Sequence, residues 1–320
     1  MIVLANDGIS PSGKQKLEAA GFKVVTDHVP QEKLADYIND NDVAALCVRS
    51  ATTARKELID ACPNLKFIGR GGVGMDNIDV AYAREKGITV ANTPASSSQS
   101  VAELVMAHLF SLARMTYDAN RQMPENGHGD FKALKKKYAK GVELRGKTLG
   151  IIGFGRIGQA VAQYALGCGM NVICADIYDV YTKVHFVIHG HGEVIVDIEK
   201  VELGELISRS DAISIHVPKQ SDGSAVIGSE ELAKMKKGVL LVNAARGGVI
   251  DEPALLSALN SGHVAGAALD VFENEPTPSQ DVLSHEKLAL SPHIGAATME
   301  AQDRIGEEMA DLIMAEMTPA

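Results

Sequence analysis

The sequence predicts an α/β protein built from two doubly wound parallel-sheet domains. Three observations lead there: apolar runs of strand length alternate with helix-like segments through the first hundred residues, the same rhythm restarts after Gly146, and a glycine fingerprint, Gly153 to Gly158, opens that second series. Strands that alternate with helices give a parallel sheet covered on its faces, because each crossover helix packs back onto the sheet it left. At 320 residues the chain is longer than the roughly 100 to 200 residues of a typical single domain, and 46% hydrophobic residues is ample for two cores.

In the first series IVLAN, FKVVT, VAALCV, LKFIGR and ITVANT read as strands, with helices over Lys14 to Ala20, Lys33 to Asn39 and Val80 to Lys86. SVAELVMAHLFSLAR, Ser100 to Arg114, is long and largely apolar and follows a Ser-rich stretch suited to capping, so it carries the chain into the second domain. The polar segment Glu125 to Gly146 contains Lys135, Lys136 and Lys137, read as a solvated helix face. The second series runs KTLGIIG, MNVICAD, AISIHV, GVLLVNA, AGAALD and KLALS. Between its second and third strands, Val184 to Ile198 reads as a hairpin around HGHG, where a βαβ unit ordinarily continues with a helix. His189 and His191 in that turn fall short of the three or four ligands a zinc site needs, and no metal is expected. Thr298 to Met317 carries Ile305, Met309, Leu312 and Ile313 at helical spacing and is expected to return to the first domain.

Acidic residues outnumber basic ones 41 to 31, a net charge of −10, which argues against a nucleic-acid partner because phosphate backbones are bound by basic faces. An anionic ligand must be held by local positive groups. No apolar run approaches the roughly 18 residues of a membrane span, so no membrane association is expected. Cys47, Cys62, Cys168 and Cys174 form no CxxC pair and the N-terminus has no leader pattern, which fits reduced thiols in a cytoplasm.

In Gly153-Phe154-Gly155-Arg156-Ile157-Gly158 the first glycine permits a tight turn, the second lets the backbone approach a pyrophosphate, and the third allows close helix packing. Arg156 and Ile157 open the helix, whose N-terminal N–H groups and dipole favour phosphate. The next strand ends in Asp176, 18 residues beyond Gly158, where a carboxylate accepts from ribose hydroxyls and repels a 2′-phosphate. NAD is therefore favoured over NADP. Three further polar residues follow strands of this series: Arg246 after LLVNAA, Glu275 in VFENEP and His293 after LALSP. Ligands of open α/β sheets bind at the carboxyl ends of strands, and imidazole, guanidinium and carboxylate are what hydride transfer from a hydroxy acid requires: a base, an anion clamp and a group to steady the base.

NAARGGVIDEPAL, ALDVFENEP, LSPHIG and GFGRIG together resemble the D-isomer-specific 2-hydroxyacid dehydrogenase family over nearly the whole chain. The resemblance implies a Rossmann-type NAD domain, residues 99–292, inserted into a flavodoxin-like substrate domain, residues 1–98 and 293–320, with chemistry in the cleft between them. It implies that His293 exchanges the substrate hydroxyl proton, that Glu275 stabilises the imidazolium, and that Arg246 forks onto the substrate carboxylate. The backbone of Gly72, Val73 and Gly74 would meet the same carboxylate. VRSATT, GRGGVGMDNID and NTPASSSQSVAELV are most similar to family members that oxidise 3-phosphoglycerate to 3-phosphohydroxypyruvate, the first step of serine biosynthesis; by that likeness Arg49 and Arg70 hold the phosphate. The alternatives are a reductase of glyoxylate, hydroxypyruvate or another small 2-oxo acid, and, in a different class, an NAD-sensing interaction protein. The resemblance also implies a homodimer. Because the sequence stops one helix after the His293 loop, feedback through a C-terminal regulatory domain is not expected.

Overall fold

The computed structural model describes residues 1–317; the last three positions of the expected C-terminal segment, 318–320, lie outside the described residues. The chain divides into two compact units, Met1–Ser98 with Ala296–Ala320, and Gln99–Gly295.

In the first unit β1 (Ile2–Ala5), α1 (Pro11–Ala19), β2 (Lys23–Val25), α2 (Leu34–Asp40), β3 (Val43–Val48), α3 (Lys56–Ala61), β4 (Phe67–Arg70), α4 (Val80–Glu85) and β5 (Thr89–Asn92) form a five-stranded sheet of order β2-β1-β3-β4-β5, parallel throughout. That is the flavodoxin-like order. Every residue of the central strand VAALCV is buried, the mark of a strand covered on both faces. Leu34, Ile38, Leu58 and Ile68 pack on one side. Leu17, Phe22, Phe67, Met309 and Ile313 pack on the other. The last two come from the final helix, which therefore completes the sheet's cover.

The second unit begins with a long helix, α5 (Ser98–Arg114), and a second, α6 (Thr116–Lys137), kinked at Asp130. Then follow β6 (Thr148–Ile152), α7 (Arg156–Gly167), β7 (Asn171–Ala175), β8 (Lys183–Ile188), β9 (Gly192–Asp197), β10 (Glu199–Lys200), α8 (Leu203–Arg209), β11 (Ala212–Ile215), α9 (Ser229–Lys234), β12 (Val239–Asn243), α10 (Glu252–Asn260), β13 (Val264–Leu269), α11 (Gln280–Ser284) and β14 (Leu288–Leu290). Seven parallel strands take the order β10-β7-β6-β11-β12-β13-β14. Chain order reverses at β6, so a crevice opens beside the carboxyl end of that strand. One face is packed by Val105, Leu109, Phe154 and Val161, the other by Leu206, Leu232, Leu255 and Leu259. β8 and β9 form an antiparallel hairpin in place of a crossover helix, and Val184, Phe186 and Val196 on its inner face join the first of these clusters. Its outer face carries His185 bonded to Glu193, and His189 and His191 are exposed at its tip.

The final helix, α12 (Met299–Glu316), returns to the first unit and crosses α1 at two glycines. Ser10 caps α1, accepting from Gly13 N at 3.2 Å, with Pro11 at the first helical position. A methyl group on Gly13 would run into the backbone of Gly306, and one on Gly306 into Ser10 Oγ. Gly13→Ala is expected to lower the unfolding free energy by about 1–3 kcal/mol, the cost of overpacking a tight contact, in urea denaturation followed by circular dichroism. Gly204→Ala in α8, where a methyl group meets open space, should instead be stabilising by roughly 0.5–1 kcal/mol.

Candidate active site

The three fingerprint glycines differ in what surrounds them. Gly153 has φ +88°, and a methyl group there would sit 2.6 Å from His216 O. Gly158 faces the carbonyl of Gly153 with no room for a side chain, whereas above Gly155 the space is open. Turn, packing and approach thus fall to first, third and second glycine. Gly155 is the N-cap of α7 and supplies no side chain, so the N–H groups at the start of this 12-residue helix, at Arg156 and Ile157, are left to face an anion. Asp176 accepts from Phe154 N at 2.8 Å through one oxygen and from Tyr178 N at 2.9 Å through the other, tying the glycine turn to the end of β7. A carboxylate has about four acceptor positions, which leaves capacity for ribose hydroxyls. Ile177 and Tyr178 beside it are 91% and 71% exposed. The sequence around Asp176 offers no neighbouring cation; the structure adds Lys200, whose Nζ donates to Tyr178 O at 2.7 Å. These features fit a dinucleotide.

Glu275 and His293 meet: Nδ1 of the imidazole lies 2.8 Å from Glu275 Oε2, with the side chains 41% and 36% exposed. The other oxygen of Glu275 accepts from Phe272 N at 2.9 Å, which fixes the carboxylate plane. With Nδ1 engaged by a carboxylate, Nε2 is the nitrogen left to exchange a proton. Arg246 stands on a neighbouring loop. Its Nη1 donates to Ala245 O at 2.6 Å, and Asn243 holds the turn through Arg246 O and Ala245 N. The next residue, Gly247, lies so close to the carbonyl of Phe272 that no side chain fits, and the loops of Arg246 and Glu275 are thereby locked together.

His293 has φ +55°, a left-handed conformation uncommon for a residue with a side chain. The boundary expected from sequence ends this domain at 292; in the structure residues 293–295 belong to the second unit, and the physical reason is Asp270. This residue, 1% exposed at the end of β13, accepts from Ser291 Oγ at 2.6 Å, Ile294 N at 2.9 Å and Gly295 N at 2.8 Å, while its carbonyl accepts from His293 N at 2.8 Å. Sequence reasoning misses Asp270. Its place at a strand end, in the same run as Glu275, is the available signal.

In the first unit Arg49 and Arg70 follow β3 and end β4. Arg49 is half-buried and lines a cavity of about 200 Å³ with Asp7, Ser10, Gly71 and Gln302. Arg70 Nη1 donates to Gly71 O at 3.1 Å, and its guanidinium covers Gly72. The expectation for the glycine turn needs one correction: Gly72 N already donates to Thr93 Oγ1 at 2.8 Å and is not available to a ligand. Val73 is exposed and Gly74 half-exposed, so their N–H groups remain the accessible part of that turn.

The sequence profile described as D-isomer specific 2-hydroxyacid dehydrogenase, NAD binding domain, matches residues 106–295. Hydroxypyruvate reductase of Thermotoga maritima is 42% identical over 98% of both chains. D-3-phosphoglycerate dehydrogenase of Methanocaldococcus jannaschii is 42% identical over 97% of this chain, which spans 56% of that relative's length. Among solved structures, a glyoxylate reductase from Paecilomyes thermophila superposes with a TM-score of 0.82 at 30% identity, covering 98% of this chain and 94% of that one. The chain belongs to the D-isomer-specific 2-hydroxyacid dehydrogenase family, and NAD is its cofactor. No helix among the described residues is long and apolar enough to cross a membrane.

The strand end behind the glycine turn holds a titratable group with a consequence for stability. His216 is half-buried with its Nδ1 shut off from solvent, and desolvation pushes its imidazole down to about 3. Below the ordinary imidazole value of 6.5 the unfolded chain takes up a proton that the folded chain refuses, so this group costs stability progressively as pH falls from 6.5 toward about 3. In chemical denaturation between pH 7 and pH 4, His216→Gln is expected to lose stability less steeply than the parent chain; parallel slopes would refute the assignment.

Proposed function

We propose that the protein interconverts 3-phosphoglycerate and 3-phosphohydroxypyruvate with NAD. One observation carries the choice of substrate: Arg49 is a half-buried guanidinium lining a cavity, in a chain of net charge −10, with no acidic partner for its side chain among the described residues. A cation held there without a counter-ion is suited to a phosphate, and the guanidinium of Arg70, at the end of the next strand, is the other group this reading assigns to it.

In oxidation, His293 Nε2 takes the proton of the substrate hydroxyl, and in reduction it returns it. Glu275 holds the ring through Nδ1 and stabilises the imidazolium that forms. Arg246 binds the substrate carboxylate as a fork, with the N–H groups of Val73 and Gly74 as further donors. Gly155, with its open approach, and Asp176 would hold the dinucleotide, which would supply the hydride acceptor when bound. A homodimer is part of this reading. The second reading, reduction of hydroxypyruvate, is supported by the likeness to the Thermotoga maritima reductase over 98% of both chains.

Steady-state NADH oxidation with 3-phosphohydroxypyruvate and with hydroxypyruvate separates the two. The first reading expects about a 100-fold preference in kcat/KM for the phosphorylated acid, roughly 2.7 kcal/mol of transition-state binding. Arg49→Met should erase most of that preference and leave hydroxypyruvate turnover near the parent value. Equal or reversed rates in the parent enzyme assign the second reading.

A further inference from the structure

α5 carries one histidine where packing alone would call for an apolar residue. His108 is 8% exposed, on the helix face that buries Val105, Leu109 and Leu112. Its Nε2 lies 2.8 Å from Ser291 Oγ, across 183 positions of sequence, and Ser291 Oγ lies 2.6 Å from Asp270 Oδ1. A hydroxyl has one hydrogen. Asp270 already accepts from Ile294 N and Gly295 N, so its carboxylate takes the Ser291 hydrogen as well and leaves His108 only lone pairs. His108 Nε2 must then carry the proton, and the chain of bonds has one direction, from His108 through Ser291 to Asp270.

The far end of that chain is the backbone that carries His293. Asp270 grips residues 293, 294 and 295 by their N–H groups, and His293 holds its left-handed conformation within that grip. A residue in such a conformation stays there only when its surroundings over-determine it. We propose that His108 is a positioning residue: by orienting the Ser291 hydroxyl onto Asp270 it fixes the loop on which His293 is presented to the substrate. This rests on His293 being the acid–base group. A leucine at 108 would fill the volume but could not orient the hydroxyl, and Ser291 would be free to turn away from Asp270.

The test uses the full chain, NADH and whichever of the two oxo acids the parent enzyme prefers. His108→Leu is expected to lower kcat about 10-fold, in keeping with the sensitivity of catalysis to sub-ångström misplacement, while KM and the NADH dissociation constant stay within about 2-fold of the parent. His108→Gln places an N–H donor near the position of Nε2 and should restore kcat to within about 2-fold of the parent, which a packing role alone would not predict. Ser291→Ala, which removes one oxygen, should match the leucine variant, and the double variant should be no worse than either single one. Parent kcat in His108→Leu, a glutamine variant as impaired as the leucine one, or losses that multiply in the double variant would each overturn the proposal. Should the leucine variant fail to fold, the glutamine and alanine variants decide alone: both near the parent kcat, or glutamine as impaired as alanine, overturns it. His293→Gln in the same series tests the underlying reading: retained turnover removes the acid–base assignment itself, whereas lost turnover with unchanged NADH affinity leaves the position 108 variants to decide.

Discussion

Asp270 sits at the end of β13 with 1% of its surface exposed, and a carboxylate so placed has to be solvated by protein groups. It is met by one hydroxyl and two backbone N–H groups from the loop Ser291–Gly295. Hydrogen bonds to a charged group contribute about 1.5–3 kcal/mol each, and losing one leaves buried charge uncompensated. The loop therefore has one low-energy course, and that course brings His293 Nδ1 to Glu275. Glu275 is fixed through its other oxygen by Phe272 N, and the Phe272 carbonyl lies against Gly247 in the loop of Arg246. Three loops from three strand ends become one assembly, ordered outward from a buried carboxylate.

How much of this can be read from residues alone follows from the range of the interactions. The glycine fingerprint is legible because each glycine answers a local backbone demand: a positive φ at Gly153, close packing at Gly158 and an open approach at Gly155. The alternation of strands and helices places both sheets, and the break in that alternation at Val184 to Ile198 marks the hairpin. The site residues stand at strand ends for a topological reason, and the apolar strand runs that precede them make those positions readable. Asp270, Ser291 and His108 are not legible, since their meaning lies in partners up to 183 positions away and in burial that no local pattern encodes. The glycine turn after β4 misleads in part for the same reason. Its N–H groups look equivalent in sequence, but Thr93, 21 residues on, occupies the one at Gly72.

The two units handle charge by one rule. The second unit surrounds its carboxylates with donors, at Asp176, Asp270 and Glu275, and uses each to hold backbone in place. The first unit does the same with Asp7, which accepts from Arg49 N, Thr52 N and Thr52 Oγ1, and so anchors the backbone of Arg49 without engaging its guanidinium. Negative charge serves architecture, and the Arg49 guanidinium at its strand end has no acidic partner among the described residues. On the function proposed above, that division is what would let a chain with ten more acidic than basic residues recognise an acidic molecule.

The contribution of α12 to the first unit reaches back to the making of the protein. Its Met309, Ala310 and Ile313 close the sheet face formed by Val3, Ala45 and Phe67, yet a ribosome delivers them roughly 240 to 310 residues after the strand residues they cover, on the ordinary N-to-C order of synthesis. The second unit is continuous from Gln99 to Gly295 and can be completed while the chain is still attached. The first cannot. Until α12 has been made, the five strands wait with part of one apolar face uncovered; α12 then seats itself with Gly306 against Gly13. Apolar surface left uncovered over such an interval is open to aggregation, which gives the late helix a protective as well as a structural part.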